Sequence, residues 1–142
     1  MEEGYLIIET SLEHPELVRL RKAEVPPGEP DPETQTDPQI RYVARFNDLS
    51  AAQMHIHTEL RHGLVDAEAG LYRSDPVAAV AAAQSVELRH RQIYLDPRLA
   101  GNDSLETAIE TRRWHHRLAD RIWQAVGILA VAFLLIKVFF GF

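Results

Sequence analysis

The residues able to do chemistry here are histidines, arginines and carboxylates, because the chain of 142 residues contains no cysteine. No disulfide framework and no thiolate metal site can form. His55 and His57 are two residues apart. On one helix they project about 200° apart and do not chelate together. His62, His90, His115 and His116 lack the H-x-x-x-H spacing that puts two imidazoles on one helix face, so no zinc site is expected. His57 reads as a helix residue packing on a sheet, one turn from Arg61. Arg112, Arg113, Arg117 and Arg121, with His115 and His116 among them, form a basic run. The chemistry of such a run beside an apolar segment is attraction to anionic headgroups.

That apolar segment is IWQAVGILAVAFLLIKVFFGF, residues 122–142, and its one charge is Lys137. Its 21 residues, at about 1.5 Å each, give roughly 31 Å, the hydrocarbon thickness of a bilayer. It is apolar on every face, whereas a core helix of a small soluble domain is amphipathic. Lys137 sits in the far leaflet, where its stem snorkels outward; the alternative is a carboxylate or lipid phosphate within an assembly. Trp123 suits the near interface, and Phe139, Phe140 and Phe142 suit the far end. With the arginines on one side and no loop beyond the span, the chain reads as a single-pass, tail-anchored membrane protein. Its N-terminal domain is expected to be cytoplasmic and its C-terminus to lie at the far face.

Charge agrees with this division. Residues 1–100 hold ten Lys and Arg against seventeen Asp and Glu, a net of −7, and the remaining residues are +1. An acidic domain repels phosphate backbones, which disfavours nucleic acid as a partner and leaves the bilayer and a protein of a membrane complex.

Several elements follow from pattern. YLIIE within residues 4–9 reads as a strand, and LVRLRK at 17–22 alternates as a half-buried second one, joined through a turn at His14-Pro15. IRYVARF at 40–46 is a third. Between the last two, AEVPPGEPDPETQTDP (residues 23–38) has five prolines and five acids and reads as an exposed, mobile loop. Asp48 or Ser50 caps a helix over 51–64. Ser74 or Asp75 caps a second, with Pro76 at its first turn, running through the alanines to Asp96-Pro97. Asp103 to Glu106 forms a capping box for a last helix, which no proline interrupts before the span. The expected fold is α+β: a small three-stranded antiparallel sheet with packed helices, then a long helix ending in one transmembrane span. The expected domains are 1–97 soluble, 98–121 linker and juxtamembrane helix, and 122–142 the span. Residues 1–100 are expected to fold alone.

These residues, in this order, resemble the GIY-YIG nuclease domains, in particular the T5orf172-like branch. Gly4-Tyr5-Leu6-Ile7-Ile8 is similar to the opening strand. Leu17 to Lys22 falls at the second strand, Ala52 to His57 at a helix of the form AExxLH, and Gly70-Leu71-Tyr72 at the usual Glu-Trp-Phe. The likeness covers residues 3–93. It implies a first-strand tyrosine that activates water, a glutamate that holds Mg²⁺ or Mn²⁺, and a helix-borne arginine that steadies the phosphate. Tyr5 matches the first, and His57 matches the helix histidine. The second-strand glycine is replaced by Arg21 or Leu20. Gly70 stands at the glutamate position, with Glu68 two residues earlier, and the proline-rich loop stands where the arginine helix would be.

The expected function is therefore a membrane-anchored, catalytically inactive nuclease-like domain that binds a protein or serves a membrane complex, with no cofactor. The alternative is a membrane-tethered, metal-dependent endonuclease using Tyr5, Arg21, His57 and Glu68. The charge of the sheet face around Tyr5 separates them: a basic cleft favours DNA, an acidic or apolar one a protein.

Overall fold

The computed structural model describes residues 2–141, so Phe142, the last residue of the expected span, lies outside the described residues. The chain builds one six-stranded sheet rather than three strands, in the order β4-β5-β2-β1-β3-β6. The expected strands are present as β1 (Gly4–Thr10), β2 (Leu17–Ala23) and β3 (Gln39–Phe46). β1 lies in the middle, buried on both faces, which is why it reads as an unbroken apolar run and not as an alternation. β2 and β3 flank it, both antiparallel to it.

Between β3 and the next strands lies α1 (Leu49–Leu60), capped by Asp48, whose carboxylate accepts the Ala51 N–H at 3.0 Å. The expected helix to residue 64 stops at Leu60. A single 3-10 turn, Arg61–Gly63, follows, and Leu64 opens β4 (Leu64–Asp66), which pairs with β5 (Leu71–Arg73) at the sheet edge. α2 (Pro76–Gln84) is capped by Asp75. The helix expected to continue to residue 95 ends at Gln84, where the Ser85 N–H and hydroxyl bond back to the carbonyls of Ala81 and Ala82. Residues 90–95 instead form β6 (His90–Leu95) against β3. The short α3 (Pro97–Ala100) leads into α4 (Asp103–Phe140), 38 residues without a break. Its cap is Asn102, accepting the Ser104 N–H, rather than the expected Asp103.

The helices cover one face only. Leu6, Ile8, Val18, Leu20, Tyr42 and Phe46 turn toward α1 and α2 and form a single core with them. The alanines of α2, residues 79, 81, 82 and 83, are fully buried, so their small side chains let this helix approach the sheet closely. Leu99 and Leu105 enter the same core, and Ala108 and Ile109 pack against it. The packing thus runs past the boundary expected at residue 97, into the first two turns of α4.

The other face has its own cover. Ile7 and Val43 are fully buried yet stand outside the helix-side core. Residues 24–38 must cross from the end of β2 to the start of β3, two parallel strands on either side of β1, and the helix face is occupied. The proline-rich stretch therefore lies across the second face as a strap, with Pro27, Pro30 and Pro32 half-buried. The Asp37 carboxylate fastens its far end, accepting from the Ser11 hydroxyl at 3.1 Å and the Leu12 N–H at 3.0 Å.

Candidate functional site

Alternation along β1 and β2 decides where the candidate residues go. Leu6 and Ile8 face the helices, so Tyr5 and Glu9 face the strap; Val18 and Leu20 face the helices, so Arg19 and Arg21 face the strap. Tyr5 stands in register between Ala23 and Arg45. Arg21 is held by Glu9, with Nε and Nη2 at 2.9 and 2.8 Å from Oε1. Glu9 is buried, and its Oε2 has no partner among the described residues. Pulling Arg21 away toward a phosphate would strand a buried carboxylate, at a cost of several kcal/mol.

His57 is on the opposite side of the sheet. Its Nδ1 lies 2.7 Å from the hydroxyl of Tyr72, a residue of the helix-side core. Burial pushes the Tyr72 pKa up, so that hydroxyl stays protonated at neutral pH and holds the imidazole in place. The sheet itself separates His57 from Tyr5.

Glu68 is in a third location. It is exposed in the turn between β4 and β5, and Asp66 Oδ1 accepts its backbone N–H at 2.9 Å and that of Ala69 at 3.1 Å. Gly70 closes this turn with φ 67°, and a Cβ there would sit 2.5 Å from the Leu20 carbonyl oxygen. The Gly70 carbonyl accepts the Leu20 N–H at 2.9 Å, so the turn docks on β2 through backbone. Both the left-handed conformation and the close approach demand glycine. A glutamate does not fit at position 70. A divalent cation needs several convergent oxygens. Among the described residues no three His, Asp or Glu side chains converge on one point. The resemblance implies one glutamate for Mg²⁺ or Mn²⁺; Gly70 stands at its position, and Glu68 is exposed in the turn.

Sequence reasoning missed a second cluster, where α4 leaves the domain. Glu59 of α1 accepts from Arg112 Nη1 at 2.6 Å, and His116 Nε2 lies 3.5 Å from its other oxygen. These residues line a groove of about 540 Å³ with Ala108, Thr111 and His115. Arg113 reaches the Gln84 carbonyl of α2 at 3.4 Å. Two of the four arginines expected at a membrane surface thus pin α4 to the domain. Arg112 lies ten residues before Ile122, about 15 Å along the helix and beyond a Debye length at physiological salt. Arg117 and Arg121 are exposed and nearer.

Beyond His116 no ion pair or hydrogen bond joins α4 to the domain among the described residues. Every residue from Trp114 to Phe140 is exposed, and the 18-residue apolar window, of mean hydropathy 2.2, is 0% buried. The helix is long and apolar enough to cross a membrane. Trp123 and Lys137 both lie on this bare stretch, near the two ends of its apolar part. No family model, curated protein or solved structure matches the chain.

Proposed function

We propose that this chain is a membrane-anchored binding module that carries out no phosphodiester chemistry. The observation that carries the reading is α4: one unbroken helix begins in the domain core at Leu105 and ends as a fully exposed apolar rod. A core helix of a soluble protein hides its apolar residues, and this one hides none over its apolar window. A bilayer is the environment that covers such a rod on all sides. Arg117 and Arg121 at the domain end favour a domain on the non-translocated side. Lys137 near the other end reaches the far headgroups through its stem. Because α4 is continuous and pinned through Glu59, the anchor holds the domain rigidly a short distance above the surface.

The non-catalytic half of the reading is supported by the separation of Tyr5 and Arg21 from His57 and Glu68. Cleavage of this kind needs a nucleophile, a cation and positive charge at one point. Losing a single electrostatic donor costs about 10²–10³ in rate, and a missing cation ligand costs more. The full chain in detergent, incubated with supercoiled plasmid and Mg²⁺ or Mn²⁺, is expected to nick no faster than buffer. Tyr5→Phe and Glu68→Gln are expected to behave identically to it. Metal-dependent nicking that disappears in both variants would overturn this half of the proposal and restore the endonuclease reading.

A further inference from the structure

Half of the basic residues in 1–100 stand on the one sheet face that no helix covers. Arg19 and Arg21 of β2, Arg45 of β3, Arg73 of β5 and Arg91 of β6 all take that side by strand register. Arg45 and Arg91 are directly opposed across two strands, beside Tyr5. Like charges in that relation destabilise a sheet, and Glu3 offsets only one of the two. At the other edge Arg19 and Arg73 are diagonal neighbours across β2 and β5. Glu9 holds Arg21 and Glu3 holds Arg45. Arg19, Arg73 and Arg91 have no ion-pair partner among the described residues.

The strap over this face has the opposite charge. Residues 24–38 hold five acids, Glu24, Glu29, Asp31, Glu33 and Asp37, and no base. It runs from the Tyr5 end of β2 to the Thr10 end of β3. That diagonal leaves Arg45 and Arg91 on one side and Arg19 and Arg73 on the other. Its carboxylates make no ion pair with these arginines among the described residues, and with Arg45 held by Glu3 it is Arg19, Arg73 and Arg91 that remain open to a second acidic ligand. Around Tyr5 the charge is therefore mixed, Arg45 and Arg91 against Glu3 and the strap's Glu24, and the site is a face crossed by an acidic strap, not a basic cleft.

We propose that this arginine face is the docking surface for an acidic, extended segment of a partner protein. The inference rests on the binding-module reading and names the chemistry of the partner. The chain's own strap lays a proline-rich backbone across this face and leaves these arginines without its carboxylates. A nucleic-acid strand fits less well. Its evenly spaced phosphates need a continuous basic track, and here five acids cut the track in two. A peptide with acids in two groups can engage both arginine clusters and pass beside the strap.

The test uses the full chain in detergent at low ionic strength, where exposed charges act over tens of ångströms. The probe is a labelled peptide copying residues 24–38. Glu24→Gln, Glu29→Gln and Glu33→Gln together remove strap charge at three exposed side chains while leaving Asp31 and Asp37, which hold the strap's turns. This variant is expected to bind the peptide about tenfold more tightly than the wild type. Adding Arg45→Gln and Arg91→Gln is expected to cancel the gain. Neither arginine is buried, so the sheet should remain folded. Equal affinity in all three proteins would overturn the proposal, as would tighter binding of a single-stranded oligonucleotide than of the peptide. Either failure leaves the anchoring and the absence of nicking intact, since those are read by separate measurements.

Discussion

A chain ending at Ala100 is expected to lose its cooperative unfolding transition, whereas one ending at Leu118 keeps it and stays soluble. Truncation at residue 100 removes Leu105, which is 3% exposed, together with the packing of Ala108 and Ile109 and the Arg112–Glu59 pair. Removing one buried leucine side chain costs about 2.7–5 kcal/mol, and a partly buried isoleucine adds to that. The sum, roughly 4–6 kcal/mol, is comparable with the whole stability of a small domain. It would also uncover the alanine face of α2. The longer truncation keeps every residue of α4 that touches the domain and deletes the apolar window. Leu105→Ala in the longer protein should lower its unfolding free energy by about 3 kcal/mol, measured by urea titration. A fully cooperative transition in residues 1–100, with unchanged stability, would show that α4 is only a tether.

Asp96→Ala is expected to destabilise the protein by about 3 kcal/mol at neutral pH, and the deficit should vanish in acid. Asp96 is fully buried at the joint between β6 and α3. Its Oδ2 accepts from Arg41 Nη1 at 2.7 Å and Arg98 Nη2 at 3.1 Å, and its Oδ1 accepts the Arg98 N–H at 2.9 Å. Alanine would leave Arg41, which is mostly buried, holding only the Thr10 hydroxyl. It would also uncap α3. Burial alone would raise the Asp96 pKa, but hydrogen bonds from the Arg98 backbone and side chain and from Arg41 outweigh it, so the pKa is lowered. A carboxyl whose folded pKa is depressed contributes stability that is present in full above its unfolded pKa, about 3.9. That contribution disappears as pH falls through the folded value. The wild type and Asp96→Ala should therefore differ most above about pH 4 and converge below it. A constant difference down to the acid limit would mean that Asp96 acts through shape and not charge.

How much of this was legible depended on whether a residue's role was set locally. β1, β2 and β3 showed themselves because long runs of β-branched and alternating residues have a period. β4 and β5 have three residues each, too few for any period. β6 was hidden twice. No glycine or proline marks the end of the alanine helix before it, and the register shift opposite Val43 and Ala44 breaks its alternation. The continuity of α4 was readable from the absence of proline after Ser104. Its docking was not, because Glu59 and Arg112 are 53 residues apart and nothing local couples them. Tyr5 and His57 looked like members of one site because order along the chain says nothing about which face a helix covers. The parity of Tyr5 against Leu6 and Ile8 was the available signal, but the helix-side identity of Tyr72 came only with the fold.

Anchoring through α4 is the central claim, and the absence of cysteine allows a direct measurement. Single cysteines introduced in place of Leu118, Ala130 and Leu134 in the full chain, reconstituted into liposomes, can be challenged with a membrane-impermeant maleimide. Cysteine at 118 should react on vesicles whose domains face outward, and cysteine at 130 and 134 should react only after detergent is added. Equal, immediate labelling of all three positions in intact liposomes would contradict a membrane-spanning α4 and, with it, the account of this chain as an anchored module.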